Sequence, residues 1–324
     1  MNVERYASRP EWLAHRGIGG SSVAAIRGRS PYGDAWDVWL ERQPETDRDS
    51  SSIVQDEGAR FEPYLLAEYS ARTGRPVESA GDGHLIVRHP QFPWATASPD
   101  GLVPTIAEPQ GGLEVKTDRT GFPWADDVTI DAWSPDADAQ VPPYYLDQVY
   151  WYLEVTGLPW WDIAGWIPQP WGFPKLHIVR VMADAAHQRR MLLDAARWRH
   201  RHLVLGHPPP PSPGGACRSW YNRTVPEDKE VAEATVAEAE LVAELVAARA
   251  DRSVADRRAK EAEAKLAEAM GSRYGLKVGD AKVLWIASKG RESADMDIVR
   301  AMCPQAIRPG RPFRSFRLYN FEEG

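Results

Sequence analysis

Apolar and polar positions along this chain follow two periods, and the switches between them mark out the elements. His84-Leu85-Ile86-Val87-Arg88-His89 reads as a strand, Phe92 to Ala97 as another running into Ser98-Pro99-Asp100, and Leu113 to Thr117 as a third. Together these predict an antiparallel meander. Trp161 to Ile167 and Lys175 to Val181 read as two further strands. Helical spacing links Phe61, Leu65 and Tyr69, with Pro63 expected in the first turn, where its missing N–H is tolerated. It returns at Tyr145, Gln148, Val149, Tyr152 and Leu153, after Pro142-Pro143 and before Gly157, and again from Ala183 to Leu205.

Towards the N-terminus, Glu11 to Arg16 closes a short helix and the glycines at 17, 19 and 20 break regular structure. Ser21-Ser22 then caps a new helix. Ser30-Pro31-Tyr32-Gly33 begins another, whose Trp36, Val38, Trp39 and Leu40 read as core. Residues 46–55 read as a polar, mobile loop and 118–142 as irregular. The succession predicts an α/β core, a mixed sheet flanked by helices, over residues 1–206.

Beyond that core the pattern changes. His207-Pro208-Pro209-Pro210-Pro211-Ser212-Pro213-Gly214-Gly215 is a stiff spacer within a linker spanning 207–226. From Glu227 to Met270 the chain is rich in Ala, Glu and Arg without Pro or Gly, so 227–272 reads as a long helical arm. Its three-four seam includes Val231, Ala234, Leu241, Leu245, Ala248, Ala255, Ala259, Ala262, Leu266 and Ala269, interrupted by Glu238 and Arg252. Alanine seams bury little area, so the arm reads as a helical hairpin, a surface docked on a partner, or a lone charged helix. Residues 273–324 read as a small basic α+β region, with strands near Ala281 to Ser288 and Phe313 to Tyr319 around a helix from Ala294 to Met302.

Composition adds limits. The 324 residues, 43% hydrophobic and 26% charged, suit a globular chain with one sizeable core and an appendage. Cys217 and Cys303 form no C-x-x-C pair, which fits a reducing compartment and excludes an iron–sulfur ligand set. No apolar run is long enough for a membrane span or placed as a signal peptide, so a cytoplasmic location is expected, the host cytoplasm if the chain is phage-encoded. The net charge of −7 argues against broad positive potential as a route to nucleic acid. Residues 273–324 depart from it, with ten basic and six acidic groups. The arginines at 308, 311, 314 and 317 read equally as a DNA grip and as solubilising charge.

The chemistry concentrates at Ser98-Pro99-Asp100-Gly101 and Gly111-Gly112-Leu113-Glu114-Val115-Lys116-Thr117. An Asp, then after a loop a Glu, one spacer and a Lys, is the spacing of a PD-(D/E)xK nuclease site. Alternation along a strand turns Glu114 and Lys116 to one face and Val115 to the other, so two carboxylates and an ammonium converge. That trio suits phosphodiester hydrolysis, because Mg²⁺ takes hard oxygen ligands and leaves positions for water and phosphate. Taken alone, the same residues describe a surface Glu–Lys pair beside an Asp-Gly turn. Glu62 is either a further carboxylate at this site or a capping Glu. Gln148, polar within an apolar stripe, bridges a bound water or phosphate, or bonds to backbone. The glycine cluster, with Arg16 beside a helix start, reads as a phosphate pocket or as a tight turn.

Five ordered motifs carry a family resemblance over residues 10–205. They are Gly17-Ile18-Gly19-Gly20-Ser21, the Phe61-Glu62 helix, Ser98-Pro99-Asp100-Gly101-Leu102, Leu113-Glu114-Val115-Lys116, and Tyr144-Tyr145-Leu146-Asp147-Gln148-Val149 with its Thr156-Gly157 end. In this order they resemble the YqaJ-type viral recombinases, relatives of the lambda exonuclease. The resemblance implies a PD-(D/E)xK restriction-endonuclease-like core and Mg²⁺-dependent exonuclease action on double-stranded DNA ends, with Mn²⁺ substituting. It further implies 5′ to 3′ digestion that leaves 3′ overhangs for a single-strand annealing protein, and a homo-oligomer as one possible assembly. By the same resemblance Asp100, Glu114 and Glu62 are metal ligands, Lys116 the catalytic lysine and Gln148 a site-organising amide. Arg16, Ser21 and Ser98 resemble the group that receives a 5′-terminal phosphate, with Ser22 competing for the place of Ser21. A PD-(D/E)xK endonuclease and a DNA-binding scaffold with a degenerate site are the alternatives.

Overall fold

The computed structural model describes residues 2–43, 53–79, 84–105, 109–169, 172–223, 231–279, 281–286 and 296–307. It divides into two compact units, Met1–Trp220 and Tyr221–Gly324.

The first unit is built on two sheets. In the smaller, β1 (Asn2–Tyr6) pairs antiparallel with β3 (His84–Arg88), and β3 with β4 (Thr96–Ala97). The larger is six-stranded and mixed. Its order is β2 (Glu78–Ser79), β5 (Gly101–Val103), β6 (Gly111–Thr117), β8 (Trp160–Ile167), β9 (Lys175–Met182) and β7 (Val128–Ile130). The β6–β8 and β9–β7 pairs are parallel, and the others antiparallel. The expected single meander is therefore corrected: the chain leaves one sheet after Ala97 and enters the other at Gly101. Pro99 stands in the gap, and a residue without an N–H cannot carry a ladder through. The expected strand from Phe92 shrinks to Thr96–Ala97 because Phe92 and Ala95 close a turn (N···O 2.8 Å). Residues 118–142 are not wholly irregular, since the short edge strand β7 lies within them.

Helices cover the large sheet on both sides, the α/β arrangement that the pattern predicts. On one side α4 (Ile53–Thr73) lays Leu65, Leu66 and Tyr69 on Leu113, Val115 and Ala164. This helix starts well before Pro63, so the proline is internal rather than in the first turn, and residues 53–55 are helix rather than loop; residues 46–52 lie outside the described ones. Phe61 is exposed, because a stripe spaced at i, i+4, i+8 drifts by about 80° around a helix. On the other side α5 (Pro143–Thr156) buries Leu146, Val149, Tyr150 and Leu153, and Gly157 ends it with a φ of 71°. α6 (Ala185–Arg199), capped by Asp184, packs behind α5 and runs on into one π-helical turn, His200–Val204.

Three short helices precede α4: α1 (Arg9–His15), α2 (Gly20–Ile26) and α3 (Ala35–Leu40). The expected serine cap of α2 is corrected. Gly19 occupies the N-cap position and the two serines lie within the first turn. Trp36 and Trp39 of α3 are core, as read from the sequence. They pack with Cys217 and Trp220 of α7 (Gly215–Tyr221), and the Trp36 indole donates to the Pro210 carbonyl at 2.7 Å.

In the second unit α8 (Val236–Met270) begins later than the composition suggests. Thr235 and Glu238 form a capping box, so Val231 and Ala234 precede the helix and Glu238 closes its first turn. A hairpin of β10 (Gly275–Val278) and β11 (Ala281–Leu284) and the helix α9 (Met296–Met302) follow. The arginines at 308, 311, 314 and 317 and the strand read at Phe313 to Tyr319 lie outside the described residues.

Candidate active site

Strand alternation on β6 sends Leu113 and Val115 into the cluster under α4, and Glu114 towards α5. Asp100 stands at the entrance to β5, and its Oδ2 accepts the backbone N–H of Val115 at 2.8 Å. That bond clamps the Asp-Gly turn to the strand that carries Glu114 and Lys116. Glu114 is 2% exposed, and its Oε1 accepts both from Lys116 Nζ and from Gln148 Nε2 of α5. The Gln148 amide also donates to the Tyr152 hydroxyl at 2.9 Å, and Tyr152 donates to the Ser98 carbonyl at 3.1 Å. Asp100, Glu114, Lys116 and Gln148 are thus one bonded cluster.

Glu62, on the turn of α4 nearest the cluster, joins it electrostatically. Burial first, then the charge of Asp100, pushes its carboxyl up to about 7, against the pull of Lys116. Burial likewise raises Asp100 and Glu114 above the usual carboxylate range, with Asp100 adding to the rise at Glu114 and Lys116 opposing both. Burial alone would lower the Lys116 ammonium, but the Glu114 and Asp100 carboxylates outweigh it and raise it. In this cluster Lys116 acts as a donor to Glu114. Three carboxyl groups crowd one ammonium in a poorly solvated place, so without a further cation they are driven towards the protonated form.

Among the described residues no group of three or more His, Cys, Asp or Glu side chains is arranged as a closed cation site. The donor set nevertheless suits a hard divalent ion, which needs only one or two carboxylates from protein. Glu114 Oε2 is buried with no hydrogen-bond partner, although Oε1 has two. A buried carboxylate oxygen in that state calls for a ligand.

Arg16, Ser21 and Ser98 are placed differently from one another. Arg16 stacks 4.9 Å over the Trp12 ring and donates to Ser21 Oγ at 3.0 Å. Ser21 is exposed, while Ser22 is buried and its hydroxyl accepts from Arg42 at 3.3 Å, so of the two serines Ser21 is the one beside Arg16. Ser98 joins the Asp100–Glu114–Lys116–Gln148 cluster through its backbone carbonyl. The glycine loop is stitched to the strand leading to Ser98: Ile18 donates to Trp94 O at 2.8 Å and Thr96 to Ile18 O at 2.9 Å.

Two residues of the cluster carry no role in the sequence reading. Tyr152, placed there in the apolar stripe of its helix, lies one turn beyond Gln148, a spacing that could have paired them. Asp147 is fully buried and meets Arg27 Nε at 3.1 Å and Arg29 Nε at 3.2 Å. Its partners come from another helix end, and no local signal points to them.

A family model, the YqaJ-like viral recombinase domain, matches residues 11–159. The matched span contains Arg16, Ser21, Glu62, Ser98, Asp100, Glu114, Lys116 and Gln148. No curated protein matches the chain. Among solved structures, the chain is similar to an alkaline exonuclease (LHK-Exo) from Laribacter hongkongensis. The identity is 21%, with 60% of this chain and 93% of that one covered and a TM-score of 0.46. It is also similar to a phage related exonuclease from Haemophilus somnus 129PT, at 13% identity, 60% and 97% coverage and a TM-score of 0.41. Over residues 11–159, then, this chain is similar to the YqaJ-like viral recombinase domain.

Proposed function

We propose that the protein is a metal-dependent deoxyribonuclease that degrades double-stranded DNA from its ends, 5′ to 3′, and leaves 3′ single strands for recombination. One observation carries the reading: Glu114 Oε2 is buried and unpartnered beside Asp100, Lys116 and Glu62. Asp100 and Glu114 would hold Mg²⁺, with Mn²⁺ as a substitute and Glu62 as an additional acid. The ion, when bound, supplies Lewis acidity and lowers the pKa of a coordinated water.

The chain's own residues have separate parts. Lys116, held protonated by its two carboxylate neighbours, donates to the attacking water or to the phosphoryl oxygen as charge builds. Gln148 keeps Glu114 Oε1 occupied, which turns Oε2 towards the ligand position. Arg16 and Ser21 offer a guanidinium and a hydroxyl to a terminal phosphate. The 3′ strand would pass to an annealing protein.

The test is digestion of linear duplexes with and without a 5′ phosphate, beside covalently closed circles, in Mg²⁺ or EDTA. Linear DNA should be degraded only with metal, the phosphorylated end faster, and circles should survive. Cleaved circles would make the protein an endonuclease instead. Lys116→Ala should lower kcat by about a hundredfold or more, in keeping with the loss of one preorganised donor. Full activity in that variant would remove Lys116 from the mechanism.

A further inference from the structure

Two adjacent glycines at the start of α2 face different partners. A Cβ on Gly19 would lie 3.3 Å from the Arg16 guanidinium NH2 and 3.5 Å from its Nε. A Cβ on Gly20 would lie 2.6 Å from Gln148 Cγ, 2.9 Å from the Gln148 carbonyl oxygen and 3.0 Å from its Cα. Gly20 is buried, so nothing but hydrogen fits between α2 and α5 at this point.

The contact falls where the two halves of the site meet. On one side of Gly20 stands Ser21, bonded to Arg16. On the other, Gln148 is bonded to Glu114. The other end of α2 is tied to the same turn of α5, because Arg27 and Arg29 both reach the buried carboxylate of Asp147. With its two ends held against residues 147 and 148, α2 cannot roll or slide along α5 independently.

We infer that Gly20 is a positioning residue that sets the spacing between the phosphate-capturing turn and the catalytic carboxylates by direct backbone contact with Gln148. A strand end held at Arg16 and Ser21 is thereby registered against the bond beside Glu114 and Lys116. Gly19 serves the capture step alone, by leaving room for the Arg16 guanidinium. The inference rests on the nuclease reading and adds a division of labour between neighbouring glycines.

The experiment is steady-state digestion of a 5′-phosphorylated linear duplex by the full chain and four variants, with thermal melts of each. Gly20→Ala should lower kcat by about tenfold to a hundredfold, the usual effect of misplacing a reacting group by about an ångström, and leave KM within about threefold. Gly19→Ala should do the reverse, raising KM and narrowing the preference for a 5′ phosphate while kcat holds. In a Gln148→Ala background, which removes the Cγ contact and leaves the residue-148 carbonyl and Cα in place, adding Gly20→Ala should still lower kcat, by less than it does in the wild-type background. Equal losses in both backgrounds, unchanged kcat in Gly20→Ala, or indistinguishable effects of the two glycine variants would each overturn the inference. If Gly20→Ala does not fold well alone, a melt partly recovered in the double variant supports the contact, and a double variant no more stable than the Gly20→Ala and Gln148→Ala losses added together rejects it. A wild-type chain inactive on every DNA would instead sink the underlying nuclease reading.

Discussion

Burial of one titratable ring ties the stability of the fold to pH. His187, at the start of α6, is 3% exposed and stacks on Trp133 with ring centroids 4.7 Å apart. Burial first, then the Arg27 guanidinium, lowers it from 6.5 to about 4. The folded state therefore keeps a neutral ring where the unfolded chain takes up a proton. Stability from this residue is complete above about pH 6.5 and is lost as the pH falls towards 4. Between pH 7 and pH 5 the loss should be about 2 kcal/mol, and His187→Phe, which keeps the stack, should abolish that part of the slope. Denaturant melts of both proteins at the two pH values measure it; the carboxylates common to both cancel in the difference. An identical slope in the variant would show that His187 is already solvated. At this scale the clustering of Asp100, Glu114 and Lys116 was legible because it needs only local geometry: alternation on one strand aligns Glu114 with Lys116, and one turn brings in Asp100. Residues whose partners are remote were not. Asp147 gains its meaning from Arg27, 120 positions away, and the choice between Ser21 and Ser22 depends on where α2 begins, which differs from the expected cap by two residues.

Elements were legible where their pattern was long and misread where punctuation was taken too literally. α5, β8 and β9 follow their periodicity closely. The start of α4 was misplaced because proline is a common first-turn residue, whereas here Pro63 lies within the helix and exposed to solvent. Its ring removes an N–H from the middle of α4 and meets no core that needs it. Pro63→Ala should therefore stabilise the chain by about 1–3 kcal/mol, seen as a higher melting temperature. A lower one would mean that the break is required to seat Glu62 beside Asp100. β7 escaped notice because three residues give no measurable period, and its pairing with β9 is a long-range choice. The capping box at Thr235 and Glu238 was visible in the sequence, but Glu238 read as a flaw in a seam when it is the signal that starts the helix.

For the whole molecule, the question is how much chain the first compact unit needs. Composition alone ends the nuclease core at residue 206, where the proline run begins, while the first compact unit runs from Met1 to Trp220. Between these two points lie contacts that α3 depends on. Trp36, wholly buried, gives its indole N–H to Pro210, and Trp39 meets Trp220 edge to face with centroids 4.6 Å apart. Cys217 fills the space between α3 and α7. A chain cut at 206 would strip these partners, leaving one indole N–H without its acceptor and two large aromatic faces against water. Water can take the place of the lost acceptor, so the cost is mainly the exposed aromatic area, which at about 25 cal/mol per Å² comes to about 3 kcal/mol for roughly 120 Å². For a unit of this size that is a fall of about 6–12 °C in melting temperature. α3 also carries the segment that supplies Arg42 to Gly17 O and Ser22, so the damage should spread to the glycine turn proposed to receive phosphate and raise KM before it lowers kcat. Melts and kinetics of 1–206 beside 1–220 decide the matter: equal behaviour would make the proline run a true linker, while the predicted gap would make it a strap that belongs to the first unit.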